Sequence, residues 1–271
     1  MKSADLHIHS IFSDGSLTCQ KIIATAKEKK IACIAITDHD SVEAYTREDI
    51  LKDKEIEVIP AVELTTEYNS SEIHILGYFI DYQNPTLLKK LEFLRERRIL
   101  RIKEMIKKLN ALGIDIDFKE VTLLNNCSSV TRLHLAQALL RKGIVNSILE
   151  AFIKYLGENA PCYVGGFHFL PSEAISLIRD VKGLSILAHP YSIENLEEIL
   201  TYLIGCGLSG IEVYYPEHTD THIRYYEELA HKYELLITGG SDFHGNGQRK
   251  TEIGSVCIPY DLVEKLKEKL C

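Results

Sequence analysis

The chain has 271 residues, with 31 basic and 39 acidic side chains, so its formal net charge is −8. A hydrophobic share of 45% is typical of a folded globular protein, and the negative charge argues against a general nucleic-acid coat. Seven cysteines without a Cys-x-x-Cys pair indicate reduced thiols rather than a zinc ribbon or a disulfide scaffold. The N-terminus shows neither a signal peptide nor a membrane-spanning stretch, so we expect a cytoplasmic protein.

Strand and helix patterns alternate through the first third of the chain. Residues 4–9 alternate apolar and polar side chains like a short strand, and residues 17–30 show the periodicity of an amphipathic helix. The β-branched and small residues at 31–36 are typical of a strand that is buried on both faces. Further strands are predicted at residues 57–62 and 73–79.

The middle of the chain has a helical pattern. Its apolar stripe consists of Leu91, Leu94, Ile102, Met105 and Leu109. We therefore predict a helical insertion domain at residues 86–166. The remaining residues, 1–85 and 167–271, are then expected to form one discontinuous barrel domain.

The last third returns to alternating strands and helices, with strands predicted at residues 184–188, 210–214 and 235–238. Such alternation predicts a parallel sheet with crossover helices. Polar residues repeatedly follow the strands directly, as at Thr37 to Asp40, at His189 and at Ser241 to His244. The carboxyl ends of the strands are where a β/α barrel builds its active site, so the pattern predicts an α/β barrel enzyme.

Nine polar side chains in or near the ends of the predicted strands are of the types that bind Zn, Mn or Fe. In a strand, the residues of a His-x-His pair point to the same face, so His7 and His9 are expected to reach one ion together. A lone histidine is usually structural, but so many at strand ends favour a metal site. The candidate ligands are His7, His9, Asp14, His39, Glu63, His74, His189, Asp242 and His244.

The sequence resembles the polymerase and histidinol phosphatase (PHP) family through four motifs. These are Asp5-Leu6-His7-Ile8-His9-Ser10 with Asp14-Gly15, Thr37-Asp38-His39-Asp40, His189-Pro190 and Ser241-Asp242-Phe243-His244. The resemblance implies an irregular seven-stranded (β/α)7 TIM-like barrel and a trinuclear metal site. One ion is then expected at His7, His9, Glu63 and Asp242, a second at Glu63, His74 and His189, and a third at Asp14, His39 and His244.

The implied chemistry is hydrolysis of a phosphate ester by a metal-bound hydroxide, without a protein nucleophile. The cofactors are expected to be three divalent ions of Mn, Fe or Zn, with Mn favoured for activity. Asp38 and Asp40 flank His39, and we expect them to support the ligands rather than to bind metal. Asp40 as a helix N-cap is the alternative.

The segment at residues 130–139 is similar to the Arg-Pro-His-Ile-Ala segment of PHP phosphoesterases that act on nucleotides, although Thr131 and Leu133 replace the usual glycine and proline. Arg132 is therefore predicted to bind a substrate phosphate, with His134 and His218 as further candidates. The expected partners are 3′,5′-nucleoside bisphosphates or short single-stranded oligonucleotides trimmed from the 5′ end. Neither a membrane nor a long nucleic-acid duplex is expected as a partner.

Three alternatives stay open at this point. A histidinol-phosphate phosphatase has the same chemistry, but the Arg132 segment argues against it. A non-catalytic PHP interaction module is expected to have lost ligands, and none is missing here. A metal-dependent C–N hydrolase uses similar barrels, but the four motifs match the PHP family better.

Overall fold

A computed structural model describes residues 2–69, 71–122, 129–165, 169–245 and 251–270. The described strands are β1 (Ser3–Ile8), β2 (Cys33–Ile36), β3 (Glu57–Tyr68), β4 (Ser71–Tyr78), β5 (Leu184–Leu187), β6 (Gly210–Tyr214), β7 (Leu236–Gly239) and β8 (Ile258–Pro259). The described α-helices are α1 (Cys19–Glu28), α2 (Glu43–Thr46), α3 (Pro85–Ala111), α4 (Phe118–Thr122), α5 (Arg132–Arg141), α6 (Ile148–Ala151), α7 (Pro171–Asp180), α8 (Leu196–Gly205), α9 (Asp220–Lys232) and α10 (Tyr260–Leu270).

The strands form one curved sheet in the order β7-β6-β5-β4-β3-β2-β1-β8. Strands β1 to β3 pair in parallel, as do β5 to β7. The backbone N–H of His9, directly after β1, donates to the carbonyl of Phe243, four residues after the end of β7, at 2.9 Å. The two ends of the sheet therefore meet, and the predicted α/β barrel architecture is confirmed as a nearly closed barrel.

The strand count and the β/α alternation differ from the expected (β/α)7 pattern. The described sheet has eight strands, because the two-residue strand β8 pairs antiparallel with β1. Strands β3 and β4 form an antiparallel hairpin, and β4 is also antiparallel to β5. The hairpin turn begins at Asn69, whose φ of 50° suits asparagine in a tight turn. Tyr68 of β3 pairs directly with Ser71 of β4, so the β/α alternation is interrupted at this point.

Burial on both faces explains the apolar strands. Every residue of β2 and β5 is buried, because crossover helices pack on the outside while side chains fill the barrel interior. Helix α1 begins after Thr18, whose side chain accepts a hydrogen bond from the Lys21 N–H. Its buried face packs into the same core cluster as Ile34 and Ile36 of β2. In the described part of the chain, no helix is both long enough and apolar enough to cross a bilayer.

The long helix α3 connects the barrel with a group of shorter helices. Its first turns place Leu87, Leu91 and Leu94 in the core around the barrel, whereas Ile102 and Met105 lie in a second core shared with α4 to α6. This second core agrees with the helical pattern of the sequence. The division into separate domains stays a prediction, and its boundary at residues 166 and 167 lies outside the described residues.

Candidate metal centre

The nine candidate ligands lie at the carboxyl-terminal end of the barrel. His7 lies in β1, Glu63 in β3 and His74 in β4, while the other six lie in the connections that follow β1, β2, β5 and β7. Seven of the nine are buried, and His74 and His189 are partly buried. The sheet therefore brings together residues that are up to 237 positions apart, from His7 to His244.

The Glu63 carboxylate is the centre of the cluster. Its Oε2 lies 3.4 Å from His7 Nε2, 3.2 Å from His9 Nε2 and 3.2 Å from His39 Nδ1. Its Oε1 lies 2.7 Å from His74 Nδ1 and 3.0 Å from His189 Nε2. One carboxylate thus contacts five imidazoles through its two oxygens, as a bridging ligand requires.

Asp242 is the second carboxylate beside the His7 and His9 rings. Its Oδ1 lies 3.4 Å from His7 Nε2 and 3.1 Å from His9 Nε2. Its Oδ2 accepts a hydrogen bond of 2.7 Å from the Tyr215 hydroxyl, which fixes the orientation of the carboxylate. His7, His9, Glu63 and Asp242 are therefore close enough together to share one cation.

Asp14 is the carboxylate of a further group on the other side of His9. Its Oδ1 lies 3.3 Å from His244 Nε2, and its Oδ2 lies 3.8 Å from His39 Nε2. Donor atoms of His9, Asp14, His39 and His244 all lie within 4.8 Å of one another. The geometry thus adds His9 to the group expected for a third ion, and it also places His39 beside Glu63 and His74.

The carboxylates favour positive charge in this buried site. Burial opposes charge on the His9 imidazole, yet its contacts with Asp242 and Glu63 raise the pKa of His9 to about 10. In the same way, Glu63 and Glu72 outweigh burial and raise the pKa of His74 to about 9. Burial also acts on Glu63 itself, but the surrounding histidines hold the pKa of that carboxyl well below its usual range.

Three buried donor atoms of the cluster support a fit to cations. Among the described residues, His9 Nε2, Asp14 Oδ1 and His39 Nδ1 make no hydrogen bond, although each lies 3.1–3.3 Å from another polar atom of the cluster. A buried polar atom without a partner costs about 1–3 kcal/mol, so three in one place call for an explanation. Imidazole nitrogens and carboxylate oxygens are ligands of Mn, Fe and Zn, so bound cations would satisfy all three atoms.

Asp38 and Asp40 do not hydrogen-bond the His39 ring in the described structure. Asp38 accepts from the Ser10 N–H at 2.8 Å and from the hydroxyls of Ser10 and Ser13 at 2.6 and 2.5 Å, so it holds the loop that carries His9 and Asp14. Asp40 accepts from the Thr65 N–H at 3.0 Å and pairs with Arg98 at 2.6 Å. Asp40 is not the N-cap of α2, whose N-cap position is Val42.

The cluster opens into a cavity of about 200 Å³ that is lined by three arginines, Arg98, Arg101 and Arg132. Arg132 Nη2 and Arg101 Nη1 donate to the two oxygens of Glu72, at 2.9 and 2.8 Å. Glu72 Oε1 also lies 3.1 Å from His74 Nε2, so the same carboxylate contacts a candidate ligand. Although burial opposes ionisation, Arg132 and Arg101 hold the pKa of Glu72 well below its usual range.

His134 lies behind the wall of this cavity. Its Nδ1 accepts a hydrogen bond of 2.9 Å from the Thr131 N–H at the start of α5, and burial lowers the pKa of His134 to about 4. Thr131 in turn donates from its hydroxyl to Asp14 Oδ2 at 2.8 Å. His134 is therefore placed to support Thr131 rather than to line the cavity.

His218 is buried on the other side of Tyr215. Its Nδ1–H donates to the Val213 carbonyl at 2.7 Å, and its Nε2 has no hydrogen-bond partner among the described residues. The centroids of the His218 and Tyr215 rings are 5.1 Å apart. His218 is not among the described residues that line the cavity. Its predicted substrate contact stays a prediction.

Sequence reasoning missed five residues that contact the cluster or the arginines: Glu72, Arg101, Thr131, Tyr215 and Glu212. Strand alternation offered a signal for Glu72, which lies two positions before His74 and therefore on the same face. A second signal was the charge of Glu212 between Ile211 and Val213, inside a predicted buried strand.

Comparison with known proteins gives relatives along nearly the whole chain. The family model described as PHP domain matches residues 5–92. A phosphoribosyl 1,2-cyclic phosphate 1,2-diphosphodiesterase of Eggerthella lenta is 28% identical, over 92% of this chain and 97% of the relative. A 3′,5′-nucleoside bisphosphate phosphatase of Chromobacterium violaceum is 30% identical, over 94% and 91%. The 5′-3′ exoribonuclease Rnm of Escherichia coli is 31% identical, over 89% and 84%.

A solved structure from Chromobacterium violaceum has the same fold, with a TM-score of 0.89 and 28% sequence identity. The match covers 98% of this chain and 96% of the other. That protein is described as an amidohydrolase with bound sulfate and no metal.

Proposed function

This chain belongs to the PHP family, and we propose that it hydrolyses phosphate esters of nucleotides, either 3′,5′-nucleoside bisphosphates or the 5′ ends of short oligonucleotides. It is a metal-dependent phosphoric ester hydrolase, and its relatives are a diphosphodiesterase, a phosphatase and an exoribonuclease. The observation that carries the substrate proposal is the joint placement of the Glu63 cluster, Arg101 and Arg132 around one cavity.

The donor set supports three divalent cations. His7, His9, Glu63 and Asp242 would hold one, Glu63, His74 and His189 a second, and Asp14, His39 and His244 the third. When bound, such cations activate water near neutral pH and neutralise charge on the phosphoryl oxygens. Mixed imidazole and carboxylate ligands accept Mn, Fe and Zn, and we propose Mn for activity.

Arg132 is proposed to hold a substrate phosphate. Glu72 binds one terminal nitrogen of Arg132 and so fixes the guanidinium plane at the cavity, which leaves its other N–H groups to face an anion. Arg101 is fixed by the same carboxylate. Arg101 also donates from Nε to the Val164 carbonyl at 2.7 Å. Two positively charged guanidiniums at one cavity suit a substrate with a second phosphate.

The side chains that line the cavity support direct hydrolysis, without a covalent intermediate on the protein. Among the described residues that line the cavity, Thr131 has the only side-chain hydroxyl, and none has a thiol. The Thr131 hydroxyl donates to Asp14 and is thereby held in place as a donor. A covalent intermediate on serine, threonine or cysteine is therefore not part of the proposal.

The test is release of phosphate from adenosine 3′,5′-bisphosphate in the presence of Mn²⁺. Activity should disappear on chelation and return when Mn²⁺ is added. Asp242→Asn should lower kcat by about 10²–10³-fold, because a weakened cation site loses several kcal/mol of transition-state stabilisation. Asp49→Asn, an exposed carboxylate far from the cluster, is the control. Absence of turnover with any phosphoester at full metal loading would refute the proposal.

A cyclic phosphate of ribose is the second candidate substrate. The Eggerthella lenta relative aligns over 97% of its length and is a cyclic phosphate diphosphodiesterase. Side-by-side values of kcat/KM for the bisphosphate, a 5′-phosphorylated trinucleotide, a ribose 1,2-cyclic phosphate and histidinol phosphate would rank the candidates. An amide substrate in the same screen tests the C–N hydrolase alternative.

A further inference from the structure

Glu212 is a buried carboxylate that contacts two candidate ligands. It lies in β6 with no solvent exposure, between the buried residues Ile211 and Val213. Its Oε1 is 2.9 Å from His7 Nδ1, and its Oε2 accepts a hydrogen bond of 2.8 Å from the backbone N–H of His189. Both oxygens therefore contact residues that would bind metal.

We propose that Glu212 is a positioning residue that orients His7 and His189 toward their cations. This inference rests on the metal centre of the proposed function. Burying a carboxylate is unfavourable unless it is well paired, and an apolar side chain would fill this position of β6 at a lower cost in desolvation. The contacts of Glu212 with His7 and His189 thus explain why a carboxylate lies at this buried position.

The contact with His7 selects one tautomer of the imidazole. An ionised carboxylate only accepts hydrogen bonds, so Nδ1 of His7 must carry the proton that faces Glu212. In a neutral ring the lone pair is then on Nε2, the atom that lies 3.4 Å from both Glu63 and Asp242. A carboxylate behind a metal-binding histidine fixes both the tautomer and the direction of the ring.

The contact with His189 stabilises an unusual backbone conformation. His189 has a φ of 27°, a value that side chains other than glycine seldom adopt. Such a conformation is strained, and a hydrogen bond from the backbone N–H to a charged carboxylate stabilises it. Glu212 therefore helps to hold the backbone of His189 in the conformation in which the ring lies 3.0 Å from Glu63 Oε1.

Glu212→Gln separates this role from simple filling of space. The glutamine oxygen can still accept from the His189 N–H, but its NH₂ group then faces His7 Nδ1 and donates to it. This moves the ring proton of His7 to Nε2, and a protonated Nε2 cannot bind metal. Glu227→Gln is the matched control, because Glu227 accepts from the Tyr214 hydroxyl of the same strand at 2.6 Å.

The first experiment measures Mn²⁺ binding by titration and by elemental analysis after dialysis. Glu212→Gln should raise the dissociation constant by about 10–100-fold and lower the number of bound ions, whereas Glu227→Gln should match the wild type. Unchanged affinity in folded Glu212→Gln overturns the positioning role and leaves the proposed function intact. If the wild type itself binds no Mn²⁺ or Zn²⁺, the proposed function fails together with this inference.

A second experiment needs no variant. In the wild-type protein loaded with Zn²⁺, ¹⁵N NMR of the imidazoles should show His7 protonated at Nδ1 and bound to metal through Nε2. The opposite assignment, with metal at Nδ1, overturns the inference even if Glu212→Gln fails to fold.

Discussion

The ion pair of Arg98 with Asp40 joins helix α3 to the barrel directly beside a candidate ligand. Arg98 Nε donates to Asp40 Oδ2 at 2.6 Å, and its Nη2 donates to the Thr65 hydroxyl. Asp40 is fully buried and follows His39 in the chain, and Arg98 is 6% exposed. Loss of the guanidinium would leave a buried carboxylate without its cation.

We expect Arg98→Met to lower the free energy of unfolding by about 3–5 kcal/mol, the usual cost of removing one partner of a buried pair. At about 2.1 cal/mol/K of unfolding entropy per residue, that corresponds to a fall in Tm of roughly 5–9 °C. Asp40→Asn should cost less, because asparagine keeps an oxygen for the Thr65 N–H and tolerates the φ of 49° at this position. The double variant should be more stable than the two single losses added together predict.

The assay is urea unfolding of the wild type, both single variants and the double variant, all free of metal. Lys52→Met is the matched control, since the Lys52–Asp49 pair is largely exposed and should contribute less than about 1 kcal/mol. If the two single losses of unfolding free energy are strictly additive, or if Arg98→Met costs as little as Lys52→Met, the pair does not join α3 to the barrel.

Three further predictions concern the residues around α5. Because the pKa of buried His134 is about 4 and that of an unfolded histidine about 6.5, the unfolded chain takes up the proton first as the pH falls. Protonation of this group therefore lowers the free energy of unfolding by up to about 3 kcal/mol as the pH falls from 6.5 to 4. Glutamine in His134→Gln can still accept from the Thr131 N–H but does not titrate, so the pH profile of urea unfolding should become flatter. Arg132→Lys should lower kcat/KM for a nucleoside bisphosphate by about 10–100-fold, and by less for a monophosphate, because lysine cannot bind Glu72 and a phosphate in the same planar geometry. An equal fall for both substrates would contradict the assignment. Thr131→Val should weaken Mn²⁺ binding by about tenfold in a titration, whereas Thr219→Val, which removes a comparable N-cap from α9, should affect stability alone.

The sequence predicted the ligands because parallel strands end at the same edge of a barrel. His39 and His189 come directly after β2 and β5, and Asp242 and His244 follow β7, so local patterns alone placed them near one another. Glu63 and His74 needed the family resemblance as well. They lie inside the β3–β4 hairpin, which the expected alternation of strands and helices did not include.

The roles of Asp38 and Asp40 could not be obtained from their spacing. Strand alternation does not apply at this point, because Asp40 has a φ of 49° and so departs from extended backbone. Asp38 contacts the loop after β1, and Asp40 contacts Arg98 of α3. The contact partners of Glu72 and Glu212 could not be predicted from the sequence either. His7 and Glu212, for example, are 205 positions apart, and no periodic pattern connects them.

Glu72 contacts both the arginines proposed to bind phosphate and a candidate metal ligand. Its carboxylate binds Arg101 and Arg132 and also contacts the His74 ring, whose other nitrogen faces Glu63. An anion bound at Arg101 and Arg132 would compete with the Glu72 carboxylate for the two guanidiniums. A cation bound at His74 would compete with the same guanidiniums for the negative charge of Glu72. Binding free energies are reciprocal, so any factor by which Mn²⁺ changes phosphate affinity must equal the factor by which phosphate changes Mn²⁺ affinity. Glu72→Gln should reduce that shared factor toward one if the connection passes through this carboxylate.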